Sequence, residues 1–123
     1  MSQGTLEIAE QGGATLVSLA GRLDSATVPG LEARFLAAIQ PGRTTLYDAA
    51  GVVYVSAAGV RLVVAAARAA ERVGGRMALC GLREDFAETL RVTGFDMFLS
   101  VHADRAAALA ALAPGGTAAR AAR

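Results

Sequence analysis

The residues that could do chemistry in this chain are few and lie far apart in the sequence. Asp24 lies at the entry of the first predicted helix, Asp48 ends a predicted strand, Ser56 stands where the longest predicted helix begins, and His102 is the only histidine. Acid–base catalysis needs titratable groups within hydrogen-bonding reach, and a metal site needs several clustered ligands. Two separated acids without a paired histidine or a third acid predict neither an enzyme nor a metal or cofactor site.

Structural roles are also open to these residues. Asp24, Ser25 or Thr27 can each cap the first predicted helix, and Ser56 can cap the long one. Asp48 can accept hydrogen bonds from backbone N–H groups two or three residues further along the chain. Both acids could instead face a binding partner, because open parallel sheets present ligands beyond the carboxyl ends of their strands.

Composition excludes several classes of function. The 123 residues are 54% hydrophobic and 19% charged, with a net charge of +1 and no tryptophan, which argues against a nucleic-acid surface. The most apolar run, residues 60–67, is too short to span a bilayer, and no signal peptide is recognisable. A single cysteine, Cys80, fits a reducing compartment. We therefore expect a cytoplasmic protein that does not insert into membranes.

The hydrophobic pattern predicts elements in the order ββαβαβαβα, a mixed and mostly parallel sheet with helices packed mainly on one face. One domain is expected over residues 1–112, with a disordered tail over residues 113–123. Residues 49–56 are predicted to form a loop with Val53 and Val55 pointing inward. Predicted strands cover residues 5–10, 14–20, 44–48, 76–81 and 98–101, and helices cover residues 57–73, 83–93 and 105–112, with another whose apolar positions run from 28 to 39.

Four stretches give the chain a family resemblance, through their order and spacing together. The chain resembles the STAS family (sulfate transporter and anti-sigma factor antagonist domains), of the anti-sigma factor antagonist type, over residues 6–112. The stretches are "LAGRLDSATVPGLE" from Leu19, "LYDAAGVVYVSAAGV" from Leu46, "GGRMALCGL" from Gly74 and "LRVTGFDMF" from Leu90.

The resemblance implies a regulatory protein–protein docking module rather than an enzyme. In the best-known members the helix-entry motif reads Asp-Ser-[Ser/Thr/Ala]-Gly, and the serine after the aspartate is phosphorylated by an anti-sigma factor that is also a kinase. Unphosphorylated protein binds that partner and frees the sigma factor. Phosphate adds about two negative charges at a helix N-terminus and ends the binding.

This chain departs from that motif at the switch position. With Gly59 aligned to the family glycine, Ser56 replaces the aspartate and Ala57 replaces the phosphoacceptor, which leaves three interpretations. The module binds its partner without a switch at this site, Ser56 is a displaced phosphoacceptor, or the chain is a subunit of an ABC-type lipid transporter. A small nucleotide-binding protein is the alternative from another class, against which stands the lack of a phosphate-binding loop.

The expected partner is therefore an anti-sigma factor of the serine-kinase type or a transporter subunit. Arg61 would project from the first turn of the long helix, where its charge opposes the helix dipole. It is either a solvated arginine with a packed stem or a residue that meets an acidic partner. The predicted partner-binding residues are Asp24, Ser25, Asp48, Ser56, Ala57, Ala58, Gly59, Val60 and Arg61.

Overall fold

A computed structural model describes residues 3–97 and 99–112, so the predicted disordered tail lies outside the described residues. The strands are β1 (Gly4–Gln11), β2 (Ala14–Leu23), β3 (Thr44–Val55), β4 (Arg76–Cys80) and β5 (Ser100–His102). The helices are α1 (Val28–Ala37), α2 (Ala57–Arg72), α3 (Glu84–Thr93) and α4 (Arg105–Leu112), and a short 3₁₀ helix spans Phe95–Met97.

The five strands form one sheet in the order β1-β2-β3-β4-β5. β1 and β2 form an antiparallel hairpin, and each later neighbour pairs in parallel. Gly12 and Gly13 make the hairpin turn with φ angles of 62° and 81°, a conformation that favours glycine. The predicted mixed, mostly parallel sheet is confirmed.

Two apolar clusters divide the helices between the faces of the sheet. The larger cluster joins one face to α1, α2 and α3 through residues such as Phe35, Val63 and Phe86. The smaller joins the other face to α4 through Ala108 and Leu112. The helices therefore pack mainly on one face, as predicted, because only α4 covers the opposite face.

Hydroxyl groups of β3 satisfy carbonyl groups at the end of α1. Tyr47 stacks its ring on Phe35 at 4.3 Å between centroids and donates its hydroxyl hydrogen to the Phe35 carbonyl oxygen at 2.6 Å. Thr45 donates in the same way to the carbonyl of Ala38, at 3.3 Å. The last carbonyls of a helix have no partner within it, so these two side chains anchor the C-terminus of α1 to the sheet.

The predicted loop over residues 49–56 is wrong, because β3 continues to Val55. Beyond Asp48, β3 leaves β4 but stays paired with β2 to the Leu23–Val55 pair. Register shifts along this pairing change which side chains face the core. Consequently Val52 is buried, whereas Val53, predicted to point inward, is 54% exposed.

Candidate functional site

The helix-entry motif forms the N-terminus of α2, immediately after the end of β3. Ser56 is the N-cap residue, and its side-chain oxygen accepts a hydrogen bond from the backbone N–H of Ala58 at 3.2 Å. Its own N–H donates to the carbonyl of Leu23, the last residue of β2, at 2.9 Å. Ser56 thus has the capping role considered from the sequence, and it fixes the start of α2 against β2.

The small residues after Ser56 differ in their exposure. Ala57 is exposed and Ala58 is half-buried, whereas Gly59 and Val60 are buried. A Cβ atom on Gly59 would lie 2.6 Å from the Leu23 carbonyl oxygen, closer than any stable contact. Gly59 and Val60 therefore position the helix, and Ala57 and the exposed Arg61 present its first turn to solvent.

Asp24 organises the turn between β2 and α1, next to Leu23. Its Oδ1 accepts hydrogen bonds from the N–H groups of Ala26 and Thr27, each at 3.0 Å, and its Oδ2 accepts one from Arg22 Nε at 2.8 Å. The Arg22 hydrogen bond, with those from the backbone, holds the pKa of Asp24 below its ordinary value of 3.8. Asp24 is therefore an ionised turn former beside the entry of α2.

The N-cap of α1 is Thr27, and its side chain does not cap the helix. The Thr27 hydroxyl instead donates to the carbonyl of Arg22 at 2.8 Å and accepts from the N–H of Asp24 at 3.0 Å. Ser25 is exposed at the top of this turn. The structure therefore brings Asp24 and Ser25 to the same end of the sheet as Ser56.

Arg22 and Tyr54 also belong to this region and were missed from the sequence. The Arg22 guanidinium lies over the Tyr54 ring, 4.2 Å from its centroid, and the two residues are partners in the β2–β3 register. Tyr54 is 41% exposed. The sequence predicts a loop at Tyr54. It therefore gives no strand pairing from which the contact between Arg22 and Tyr54 could be predicted.

Asp48 does not reach this region. Its side chain lies on the α4 face of the sheet and is 9% exposed. Oδ2 accepts hydrogen bonds from Arg105 Nη2 at 2.8 Å and Nε at 3.1 Å, and Oδ1 accepts one from Ala50 N–H at 3.0 Å. The backbone-capping role considered from the sequence is present, and the structure excludes Asp48 from the surface around Ser56.

Among the remaining chemical groups, Ser100 Oγ and His102 Nε2 lie 2.9 Å apart, within hydrogen-bonding distance. Cys80 is buried, and its surroundings raise the pKa of the thiol to about 12, chiefly through desolvation, so it stays protonated. Within residues 3–97 and 99–112, no group of three or more histidine, cysteine or acidic side chains could hold a metal ion. The same residues contain no helix with the length and apolar character needed to cross a membrane.

Small side chains dominate the surface around the Ser56 cap. Six of the exposed or half-exposed residues in this region form what we call the docking surface: Asp24, Ser25, Ser56, Ala57, Ala58 and Arg61. It combines two alanines and two hydroxyl groups with one carboxylate and one guanidinium. A partner backbone can approach such small side chains closely.

Comparison with known proteins identifies the class of this domain. A family model described as "Mlab, STAS domain" matches residues 6–102, and the chain belongs to the STAS domain family. The candidate anti-sigma factor antagonist BtrV of Bordetella bronchiseptica is 33% identical over 100 residues, covering 80% of this chain and 86% of that protein.

Solved structures agree with this assignment. An anti-sigma-factor antagonist (STAS) domain protein from Planctomyces limnophilus has a TM-score of 0.78 at 25% identity, over 85% of this chain and 94% of that one. The murine anion transporter Slc26a9 has a TM-score of 0.72 at 14% identity, over 89% of this chain but only 22% of the transporter. At this low identity, the similarity to Slc26a9 shows a shared fold only.

Proposed function

We propose that this chain is an anti-sigma factor antagonist that binds an anti-sigma factor of the serine-kinase type through its docking surface. The observation that carries the proposal is the first turn of α2, where exposed Ala57 is held by the Ser56 cap and the Gly59–Leu23 contact. Similarity to BtrV and to the Planctomyces limnophilus protein supports an anti-sigma factor as the partner, and the serine-kinase type is carried over from the family resemblance. A preformed surface of small side chains suits protein docking, because little conformational entropy is lost on binding.

Binding in this proposal is not switched by phosphorylation at residue 57. Alanine offers no hydroxyl group, and the neighbouring Ser56 oxygen is engaged in capping the N–H of Ala58. Phosphorylation of Ser56 would exchange a neutral cap for a phosphate group at the same helix end. The partner would therefore remain bound until it is removed by other means, such as degradation or competition.

The test uses one charged substitution on the docking surface and a matched one elsewhere. Ala57→Asp places a carboxylate in the first turn of α2, and Ala106→Asp places one in the first turn of α4, on the other face of the sheet. Both alanines are exposed, and an acid in a first turn suits the helix dipole. Both variants should therefore fold, and only Ala57→Asp should weaken binding.

Binding is measured by calorimetry with the purified serine-kinase-type anti-sigma factors encoded in the same genome. One of them should bind the wild type and Ala106→Asp alike, and Ala57→Asp at least about tenfold more weakly. Equal binding by both variants would remove the docking surface from the proposal. No binding by the wild type, together with capture of an ABC transporter subunit from lysate, would assign the chain to transport.

The absence of a phosphoacceptor at position 57 can be tested by introducing a serine there. Ala57→Ser places a hydroxyl group where the family motif has its phosphoacceptor, and a double variant with Ser56→Asp also restores the preceding acid. With ATP and the binding anti-sigma factor, the double variant should gain one phosphate at residue 57 by mass spectrometry. Phosphate on Ser56 of the wild type would instead identify it as a displaced acceptor.

A further inference from the structure

The outward face of α2 carries a line of arginines that begins at the docking surface. At about 100° per residue, Ala57, Arg61, Arg68 and Arg72 fall within about 60° of one another around the helix axis. All four residues are exposed. At about 1.5 Å per residue the line extends roughly 22 Å from the entry of α2 to its last turn. We call Arg61, Arg68 and Arg72 the arginine strip.

The fold itself does not neutralise the arginine strip. Other arginines form ion pairs, namely Arg22, Arg43, Arg91 and Arg105. Within the described residues, none of the three guanidinium groups of the strip makes an ion pair or a side-chain hydrogen bond, although Glu71 and Glu32 lie close by.

The position of these charges is unfavourable for the isolated helix. Arg61 is the fifth residue of α2, close to its N-terminus, where a cation opposes the positive end of the helix dipole, and the first turn contains no acid. Arg68 and Arg72 are four residues apart, a spacing at which like charges repel. Arg72 lies in the last turn, where a cation suits the helix dipole, so the unfavourable contributions are the position of Arg61 and the repulsion between Arg68 and Arg72, which an acidic partner would offset.

The surroundings of the strip favour a protein over a lipid surface or a nucleic acid. α2 exposes no large apolar side chain that could enter a bilayer, and it contains no aromatic residue on which a base could stack. Ala65 and Ala69, both half-buried, flank the strip and leave room for a second helix to lie alongside. The net charge of the whole chain is only +1.

We infer that the arginine strip binds an acidic α-helix of the same protein partner that contacts the docking surface, an inference that rests on the proposed function. Glutamate or aspartate residues spaced three or four apart along that helix would face Arg61, Arg68 and Arg72. The docking surface and the strip would then form one continuous interface along α2. Since surface charges mainly steer association, the strip should increase the association rate and make it sensitive to salt.

A pair of double variants separates this inference from the proposed function. Arg68→Glu/Arg72→Glu reverses two charges of the strip outside the docking surface. Arg76→Glu/Arg83→Glu makes the same change of net charge at two exposed arginines that form no ion pair with any of the described residues. The probes are the purified serine-kinase-type anti-sigma factors described above, with phosphatidylglycerol vesicles and duplex DNA as counter-probes.

The strip variant should bind the anti-sigma factor about tenfold more weakly than the control variant at about 50 mM salt, and the difference should shrink at about 500 mM. Reversal of matching acids in one partner helix to arginine should restore its binding. Equal binding by the two variants would overturn the inference while leaving the proposed function intact. If the strip variant alone lost binding to vesicles or DNA, the inference of an acidic protein helix would be overturned in favour of those ligands. If the wild type bound no anti-sigma factor, both this inference and the proposed function would be overturned.

Discussion

Gly59 lies directly against the backbone of Leu23, the residue that ends β2. A Cβ atom at position 59 would lie 2.6 Å from the Leu23 carbonyl oxygen and 2.9 Å from the Leu23 Cβ. The same carbonyl accepts the N–H of Ser56, so one backbone group fixes both the cap and the first turn of α2. The glycine of the helix-entry motif therefore serves close packing, and the docking surface depends on it.

Gly59→Ala should lower the free energy of unfolding by about 1–3 kcal/mol, because the backbone of Leu23 cannot move away as a flexible side chain could. This loss exceeds the gain of up to about 1 kcal/mol that alanine brings within a helix. Gly30→Ala in α1 is the matched control, since its Cβ would meet nothing within 4 Å. Urea unfolding should show Gly30→Ala at least as stable as the wild type. Equal stability of the two variants would disprove the close contact.

The sequence predicts the element order and the site through local signals, and its failures concern contacts between distant segments. The Ser56 cap and the end of the predicted helix at residue 93 follow from residue type and position, and the structure contains both. The extension of β3 through Val55 could not be predicted, because it depends on pairing with β2 about thirty residues earlier. Asp48 lies away from the docking surface and pairs with Arg105, and this contact could not be predicted because Arg105 is 57 residues further along the chain.

Tyr47→Phe should destabilise the fold by about 1–3 kcal/mol. The substitution keeps the stacking on Phe35 but removes the 2.6 Å hydrogen bond to the buried carbonyl at the end of α1. Tyr54→Phe is the control, because the Tyr54 hydroxyl makes no hydrogen bond within the described residues and its side chain is 41% exposed. The free energy of unfolding of Tyr54→Phe should differ from that of the wild type by no more than about 0.5 kcal/mol. Thermal unfolding of both variants measures the difference, and a Tyr47 effect as small as that of Tyr54 would contradict the capping role.

Arg105→Met should cost about 2–3 kcal/mol, because it leaves the nearly buried Asp48 carboxylate without its counter-charge. The estimate is below that for a fully buried pair, since the Arg105 side chain is 41% exposed. Adding Asp48→Asn should recover part of the loss, because the amide is neutral and can still accept the N–H of Ala50. Arg83→Met is the control, because Arg83 is exposed and pairs with no acid in the part of the chain that the structure describes, and its free energy of unfolding should stay close to that of the wild type. A double variant less stable than Arg105→Met in urea unfolding would show that the Asp48 charge is not the cause.

Asp24→Asn tests how the turn beside the docking surface depends on pH. The pKa of Asp24 is lowered in the folded chain, chiefly by Arg22, so folding favours the charged carboxylate. Its stabilising contribution should be complete above the ordinary pKa of 3.8 and should disappear as the pH falls through the lowered value. Urea midpoints should therefore differ between wild type and Asp24→Asn from about pH 7 to about pH 5 and converge towards about pH 2.

Asp96→Asn, at an exposed acid without a side-chain hydrogen bond in the described residues, should follow the wild type throughout. If the difference in urea midpoint between wild type and Asp24→Asn stayed constant down to about pH 2, the Asp24 charge would not be what stabilises the turn.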